Sequence, residues 1–476
     1  MTEKEKIARL VSPEKFFPID MSIGKLCGAS HFIESAAVYL DILSESQFWP
    51  RSTLELIQLR RLKKLITKVS DYSNFWARYF KRYNISPDGL TSTADLENLP
   101  LLSRVELLKL GDNLYAPDGV EKRRLLTSRT SGTSGMPLKL IYSESEFILS
   151  HFPFHFRHPF FSDISLLKKL FSRKFAITLG MTGGRDYILN KDFVYHAFTN
   201  ISSASLDNVS VRAVIYEKIN EAAPVFLNGF ASLISKFSQC LNEDKVKLPV
   251  FAVRISSESI SSTERSEIER TFNASLINIF NSSGIGSIGF ECPENKGRFH
   301  LNSEKAILEV VGLDGVPVEA GTEGEIIITA LDYTVTPILR YAIDDIGRVV
   351  PGSCPCGRTL PIFEFRGRHG YDIVLPSGGR VGMIFLRSSL MDWWRLNRKA
   401  KQIQVIQKTP ESIHILIVPK VAFNESDEVE MRLAVSKLFA GEKMLIEIVY
   451  VKNIVPGRGH KPSFFIPLSE FQERKL

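Results

Sequence analysis

The segment from Thr127 to Pro137 reads Thr-Ser-Arg-Thr-Ser-Gly-Thr-Ser-Gly-Met-Pro. Six of its residues, Thr130 to Gly135, carry a hydroxyl group or no side chain at all. Strand-like runs flank it at 124–126 and 138–142. Glycines let backbone N–H groups approach a ligand closely, and hydroxyls add rotatable donors, so the pattern is typical of a polyphosphate-binding loop. An ordinary hairpin loop has the same composition, and the Walker A pattern is absent, so the remaining sequence must decide between them.

The length and composition indicate a multidomain globular protein. A chain of 476 residues is too long for one compact core, so two or more domains are expected. Hydrophobic residues make up 44% and charged residues 24%, as in soluble proteins. The net charge of +7 is a mild excess that favours a nucleotide or another anion but does not indicate nucleic-acid binding.

The sequence predicts a cytoplasmic protein. The first six residues are mostly charged and no long apolar run follows them, which is unlike a signal peptide. No run of about 18 apolar residues occurs, so no membrane span is expected. The five cysteines form an odd set, which favours reduced thiols or a metal site over disulfides.

Residues 1–110 are predicted to be mostly helical. Leu54–Val69 has apolar residues at helical spacing, and Tyr72–Tyr83 forms a second amphipathic pattern. Ser92 and Ser103 each precede a short helical run at the N-cap position. The aromatic side chains of this region are expected in the core rather than in a ligand site.

Residues 121–330 alternate between short apolar strands and helical stretches. The predicted strands are Phe175–Thr178, Val225–Phe230, Val250–Ser257 and Leu276–Ser283, and the predicted helices are Ala231–Leu241 and Ser262–Phe272. This alternation predicts an α/β fold with parallel strands. Ligands gather at the carboxyl ends of such strands, where two polar clusters fall, Ser256–Ser259 and Asn281–Gly284. Helix capping and turn formation are the alternative explanation for both clusters.

The chain becomes β-rich from about residue 305. The predicted strands are Ala306–Val311, Glu325–Ala330 and Ile338–Tyr341. A boundary near Gly367 divides a large domain, 1–367, from a small α+β domain, 368–476. Within the small domain, strands are expected at Ile403–Gln407, Ile413–Val418 and Ile446–Val451, and a helix at Asp427–Phe439.

Three cysteines and one histidine form a candidate metal site. Cys354 and Cys356 lie two positions apart on a predicted turn, and Cys292 precedes His300 by eight positions. Three thiolates and one imidazole are the ligands of a closed structural zinc site. Buried, inert cysteines are the alternative, because the spacing within each pair is not the commonest one.

The order of these features resembles the phenylacetate–CoA ligase family and related ligases of capsule-polysaccharide gene clusters. Both belong to the superfamily of acyl-CoA synthetases, adenylation domains and luciferases. The resemblance covers most of the chain from Tyr72 onwards. The segments that carry it are Asn74–Phe80, Leu96–Arg104, Ser131–Pro137, Ser257–Ser259, Phe280–Gly284, Arg340–Ile346, Gly367–His369 and Gly457–Pro462.

The resemblance implies a set of ATP-binding residues and one catalytic cation. It assigns ATP binding to Thr130, Ser131, Gly132, Thr133, Ser134, Gly135, Ser257, Glu258, Ser282, Ser283, Asp345 and Arg368. In the family pattern, Asp345 binds the ribose hydroxyls, Ser257–Ser259 lies against the adenine, and Arg368 belongs to the hinge. Lys461 corresponds to the catalytic lysine of the small domain. Cys292, His300, Cys354 and Cys356 resemble a zinc set found in parts of the family.

The resemblance also implies a reaction with two steps. A small carboxylic acid attacks ATP in the presence of Mg²⁺, giving an acyl-adenylate, and a thiol, usually coenzyme A, then takes the acyl group. An amine or hydroxyl acceptor, or a catalytically degenerate protein, are the alternatives. A homodimer is compatible with the sequence.

Two departures from the family pattern affect the expected binding of Mg²⁺ and of the phosphates. Gly284 stands where a glutamate usually helps to hold Mg²⁺, and Met136 stands where the phosphate loop usually has a lysine. Glu291 is the nearest candidate for a replacement Mg²⁺ ligand.

Overall fold

The computed structural model describes most of the chain. The described residues are 1–13, 30–116, 125–129, 138–143, 146, 149, 154, 157–158, 176–179, 195–198, 206, 208–221, 225–256, 260–282, 285–312, 314–368, 372–382, 386, 390, 399–439, 441–454 and 465–473. Several predicted site residues lie outside these ranges: Thr130, Ser131, Gly132, Thr133, Ser134, Gly135, Ser257, Glu258, Ser283 and Lys461.

The N-terminal part is helical, as predicted. Its helices are α1 (Glu3–Val11), α2 (Ser30–Ser46), α3 (Arg51–Tyr72), α4 (Asn74–Arg82) and α5 (Arg104–Leu110). The pattern at 72–83 does not continue α3, because Ser73 is extended and its hydroxyl accepts from the Trp76 N–H to cap α4. Ser103 caps α5 in a reciprocal capping box with Glu106.

Parallel strands form one end of a large sheet. After the strand pair β1 (Leu125–Arg129) and β2 (Lys139–Ser143) come β3 (Ala176–Leu179), β4 (Tyr195–Phe198), α6 (Val209–Glu221), β5 (Val225–Phe230), α7 (Ala231–Asp244), β6 (Val250–Ser256), α8 (Ser262–Phe272) and β7 (Ser275–Ser282). Strands β4, β3, β5, β6 and β7 run parallel in that order. The α/β prediction is confirmed, and α8 has the predicted bounds because Ser261 and Glu264 form a capping box.

Antiparallel strands continue this sheet on the other side of β7. They are β8 (Gly286–Glu291), β9 (Arg298–Leu301), β10 (Ala306–Val311), β11 (Gly324–Ala330), β12 (Tyr341–Val350) and β13 (Ile362–Arg368). Among the described residues the sheet has eleven strands, in the order β10-β11-β12-β13-β9-β8-β7-β6-β5-β3-β4. The predicted strand at Ile338–Tyr341 is wrong for its first three residues. The chain bends at Arg340, which has a φ of 41°, and β12 begins at the next residue, Tyr341.

The C-terminal residues build a separate core. Their elements are β14 (Asp372–Val374), β15 (Arg380–Gly382), β16 (Ala400–Thr409), β17 (Ser412–Pro419), α9 (Glu425–Ser436), β18 (Leu445–Tyr450), β19 (Phe465–Ile466) and α10 (Leu468–Glu473). Four of the strands pair in the order β18-β17-β16-β19. The side chains of Val405, Ile415, Met431 and Phe439 are buried together there. This core comes from residues beyond 372, on the small-domain side of the predicted boundary.

Within the described part of the chain, no helix has the length and hydropathy needed to cross a membrane.

Candidate functional site

The hydroxyl-rich loop is carried by a β-hairpin. Strands β1 and β2 pair antiparallel, with Leu125 opposite Ser143 at one end and Arg129 opposite Lys139 at the other. The strands predicted on both sides of the loop are therefore confirmed. Leu140 and Tyr142 of β2 are buried in the main core, so the hairpin is fixed to the body of the large domain.

Arg340 joins two of the segments that carry the resemblance. Its guanidinium donates to the Leu99 carbonyl at 2.7 Å and forms an ion pair with Glu309 at 2.8 Å. Its own carbonyl accepts from the Leu102 N–H at 2.9 Å. Burial raises the pKa of Glu309, and the guanidinium of Arg340 opposes that rise. Arg340 is thus a buried clamp between the Leu96–Arg104 segment and the start of β12.

Asp345 and Arg368 lie directly opposite each other on β12 and β13. Asp345 is partly exposed, as a ligand-binding carboxylate needs to be. Asp344, the residue before it, has a φ of 63° in the left-handed region. The strand is therefore irregular at this carboxylate. The structure brings together the residues predicted for the ribose and for the hinge.

An aromatic cluster places the end of β7 near β13. The ring of Phe280 lies 5.1 Å from that of Phe363 and 5.8 Å from that of Phe365, measured between centroids. Two strands separate β7 from β13 in the sheet order, and Phe299 of the intervening β9 packs against both Phe280 and Phe363. The strand that ends at Ser282 is therefore joined to β13 by aromatic packing.

The predicted metal ligands converge at one point. The donor atoms of Cys292, His300, Cys354 and Cys356 all lie within 4.8 Å of one another. The Sγ atoms of Cys292 and Cys354 are 3.5 Å apart, and Cys356 Sγ is 3.3 Å from His300 Nε2. A tetrahedral zinc with ordinary bond lengths requires separations of about 3.5 to 3.8 Å between such atoms. The donor set therefore has the composition of a structural zinc site, and its two closest separations lie near the tetrahedral values.

Sheet order explains why these four residues meet. His300 on β9 faces Phe290 of β8 on one side and Ile362 of β13 on the other. Cys292 directly follows β8, and the other two cysteines occupy the turn that leads into β13. In that turn the Gly357 N–H donates to the Cys354 carbonyl at 3.0 Å, with Gly357 at a φ of +78°.

Burial suits His300 to metal binding. Burial and, next, the positive charge of Arg358 lower the pKa of the imidazole to about 4, so the ring is neutral at physiological pH. Neutral imidazole is the form that coordinates zinc.

The residues after the cysteine turn dock on the N-terminal helices. Arg358 Nε donates to Gln47 Oε1 at 2.6 Å, and the Thr359 N–H donates to the Gln47 carbonyl at 2.9 Å. The Arg358 guanidinium also lies 5.3 Å from the ring centroid of Phe48. The segment 353–359 therefore ties the sheet to the connection between α2 and α3.

Glu291 is not available as a magnesium ligand, and that suggestion is wrong. Its carboxylate is 4% exposed, pairs with Arg265 of α8 and accepts from the Gly297 N–H at 3.0 Å. Because Arg265 and Gly297 occupy its oxygens, the carboxylate supports the packing of α8 on the sheet.

A buried polar network was missed by sequence reasoning. Glu304 pairs with Arg157, both side chains being 0% exposed, and Arg61 pairs with Asp332. Burial and Arg61 hold the pKa of Lys305 well below its usual range. The hydrophilic run Asn302–Lys305 resembles an exposed turn in sequence, and no local signal reveals that it is buried.

Comparisons with known proteins point to one superfamily. No family model matches the chain. It is 24% identical to the phenylacetate-coenzyme A ligase of Thermus thermophilus over 334 residues, covering 66% of this chain and 70% of that protein. It is 22% identical to protein CapK of Staphylococcus aureus, covering 61% of this chain and 62% of that protein.

Among solved structures, 2-hydroxyisobutyryl-CoA ligase in its postadenylation state matches with a TM-score of 0.68 at 13% identity, covering 90% of this chain and 92% of that one. The same ligase in its thioesterification state matches with a TM-score of 0.54 over 89% of this chain and 92% of that one. The fold is that of the adenylate-forming ligases.

Proposed function

Because the chain has the adenylate-forming fold and resembles the phenylacetate–CoA ligase branch of that superfamily, we propose that it is an acid–CoA ligase. It would activate a small carboxylic acid with ATP and then transfer the acyl group to coenzyme A. The observation that carries this proposal is that Asp345 lies opposite Arg368 on β12 and β13, in a chain whose paired strands β1 and β2 flank the hydroxyl-rich segment in sequence. These are the ribose, hinge and phosphate elements that such a reaction needs, on one scaffold.

In the first step a carboxylate oxygen of the acid attacks the α-phosphorus of ATP. The new O–P bond forms as the bond to pyrophosphate breaks. In the second step the thiol sulfur attacks the acyl carbon, its proton is released, and AMP leaves. Negative charge grows on the phosphate in the first step, so donors and cations near it accelerate the reaction.

We assign the nucleotide contacts as follows. Thr130, Ser131, Thr133, Ser134 and the backbone of Gly132 and Gly135 hold the phosphates, together with Ser282 and Ser283. Ser257 and Glu258 lie against the adenine. Asp345 binds the ribose hydroxyls, which suits its partial exposure on β12. Lys461 supplies the cation, and Mg²⁺ accompanies the phosphates of ATP.

The same proposal includes a mobile small domain and a structural metal. The domains are 1–367 and 368–476, and Arg368 marks the hinge at the end of β13. Cys292, His300, Cys354 and Cys356 hold zinc, which would fix the cysteine turn to the sheet and leave no open coordination position for catalysis.

Two alternatives rest on specific observations. The first is an acceptor other than coenzyme A, such as an amine or a hydroxyl group, because one of the relatives, protein CapK, is not named as a coenzyme A ligase. Gly284 in place of the usual glutamate favours a catalytically degenerate protein, because a missing carboxylate weakens binding of a hard cation.

The test is carboxylate-dependent exchange of pyrophosphate into ATP, measured with a broad panel of small acids. We expect exchange with at least one acid, and thioester formation when coenzyme A is added. Exchange without a thioester product would favour the amine or hydroxyl acceptor. The absence of exchange across the whole panel would count against both enzyme proposals.

A further inference from the structure

Tyr333 is a buried residue that contacts Ile285, which follows the predicted phosphate-binding residues Ser282 and Ser283 closely in sequence. The side chain is 0% exposed, and its hydroxyl donates to the backbone carbonyl of Ile285 at 2.9 Å. The Ile285 N–H in turn donates to the Ser282 carbonyl at 3.0 Å, which closes a turn at the end of β7. The hydroxyl of Tyr333 therefore holds the far end of the Ser282–Ile285 turn.

The ring of the same tyrosine packs on the strand that leaves the hydroxyl loop. The ring centroids of Tyr333 and Tyr142 are 5.1 Å apart, and Tyr142 lies on β2. Aromatic pairs at this separation contribute about 0.5 to 1.5 kcal/mol beyond their buried area. One side chain thus connects β2 with the Ser282–Ile285 turn.

Hydrogen bonds on either side of β2 Tyr142 hold the segment 333–336 against β2. Thr336 Oγ1 accepts from the Ile141 N–H at 2.9 Å and donates to the Ile141 carbonyl at 2.7 Å. Glu146 Oε1 accepts from the Val335 N–H at 3.1 Å, while Glu146 Oε2 accepts from the Ser143 N–H at 2.8 Å. The segment 333–336 is therefore joined to β2 and to the residues that follow it.

We propose that Tyr333 is a positioning residue that sets the separation between β2 and the Ser282–Ile285 turn, two elements that adjoin in sequence the residues assigned to the phosphates of ATP. The proposal rests on the function proposed above. Hydroxyl and backbone donors stabilise developing charge only when they are held at hydrogen-bond distance in advance. Tyr333 acts through Ile285 and Tyr142 and does not itself contact the nucleotide.

The direct test is calorimetric titration of Mg·ATP, without acid, into the full-length protein and its Tyr333→Phe variant. Removing the hydroxyl leaves the buried Ile285 carbonyl unpaired, so we expect the Kd for Mg·ATP to rise about tenfold. Thr336→Val, which removes both bonds to Ile141, should weaken binding in the same direction. In exchange assays the KM for ATP should rise while the KM for the acid stays constant.

Tyr216→Phe is the matched control, because Tyr216 donates to Asp244 at 2.8 Å in the core around α6 and α7. It loses a comparable hydrogen bond far from the proposed site and should bind Mg·ATP as the unmodified protein does. Unchanged ATP affinity in Tyr333→Phe, or an equal loss in the control, would overturn the proposal.

A double-mutant cycle separates positioning from general weakening. If Tyr333 acts through the turn that begins at Ser282, the effects of Tyr333→Phe and Ser282→Ala on ATP affinity should be less than additive. Full additivity would contradict the mechanism. If the protein binds Mg·ATP but catalyses no pyrophosphate exchange, the proposed ligase function is refuted. The effect of Tyr333→Phe on the Kd for Mg·ATP would still test the positioning role. If the protein binds no ATP, both the ligase function and the positioning role of Tyr333 are refuted.

Discussion

Two residues of the Arg340–Ile346 segment have left-handed backbone conformations that non-glycine residues seldom adopt. Arg340 has a φ of 41° and Asp344 a φ of 63°. Such conformations cost about 1 to 3 kcal/mol and persist where surrounding contacts hold them. At Arg340 those contacts are the Leu99 carbonyl, Glu309 and the Thr329 hydroxyl, which accepts from the Arg340 N–H at 2.9 Å. The second of these residues, Asp344, directly precedes Asp345, the residue we assign to the ribose.

That assignment gives a prediction for Asp345→Ala. Losing a carboxylate that accepts hydrogen bonds from the ribose should lower kcat/KM for ATP about 30-fold in the exchange assay, since bonds to charged groups contribute about 1.5 to 3 kcal/mol. The KM for the acid should stay within about twofold.

Asp344→Asn is the control for this variant, because it removes the neighbouring carboxylate and asparagine tolerates the left-handed conformation. It should keep nearly full activity. If Asp344→Asn and Asp345→Ala lose equal activity, the local backbone conformation, and not the Asp345 carboxylate, determines kcat/KM for ATP.

At the scale of elements, the turn between β12 and β13 has two attachments. Its cysteines meet Cys292 and His300 at the ends of β8 and β9, and its following residues dock on Gln47. A single ion at the first attachment would therefore hold both the sheet and the α2–α3 connection in place. Binding of metal to a folded site adds directly to stability.

For the metal we predict about one zinc per chain in freshly purified protein, and near zero in Cys354→Ser. The variant should melt several degrees lower, because the cysteine turn loses its attachment to the sheet. Elemental analysis and thermal denaturation measure the two effects.

Cys240→Ser is the matched control, since Cys240 is buried in the core around α6 and α7, away from the four ligands. It should keep its zinc whatever happens to its melting temperature. Unmodified protein without zinc would end the metal assignment.

At the scale of the whole molecule, the two ligase states give different TM-scores at nearly the same coverage. The score is 0.68 against the postadenylation state and 0.54 against the thioesterification state. Both scores show the same overall fold. The ion pair between Lys420, which follows β17, and Glu243 of α7 is a contact across the predicted domain boundary in this arrangement.

Domain rotation leads to a prediction for Lys461→Ala. If this lysine supplies the cation for the first step only, adenylation should fall at least about 100-fold while transfer from a synthetic acyl-adenylate to coenzyme A persists. Pyrophosphate exchange and thioester formation measure the two steps separately.

Lys452→Ala is a suitable control, because Lys452 is an exposed lysine of the same small domain. It should leave both steps unchanged. If Lys461→Ala retains the full rate of adenylation, Lys461 does not supply the catalytic cation.

Much of the secondary structure follows from local sequence. The strand at Ala306–Val311 and the helix at Ser262–Phe272 have the predicted bounds, because apolar periodicity and capping residues act over a few neighbours. The hairpin around the hydroxyl loop is predictable for the same reason. The order of the segments that resemble known ligases is also a property of the sequence alone. Together these features determine the fold class and the proposed reaction.

Other features depend on which distant elements become neighbours, and the tertiary structure alone decides them. The burial of Asn302–Lys305, the clamp at Arg340 and the bond from Tyr333 to Ile285 join residues far apart in the chain. Cys292 and Cys354 could be grouped by residue type, but their adjacency needs β9 to lie between β8 and β13. Helix and strand signals are local, whereas buried polar contacts form only where sheet order and curvature bring their partners together.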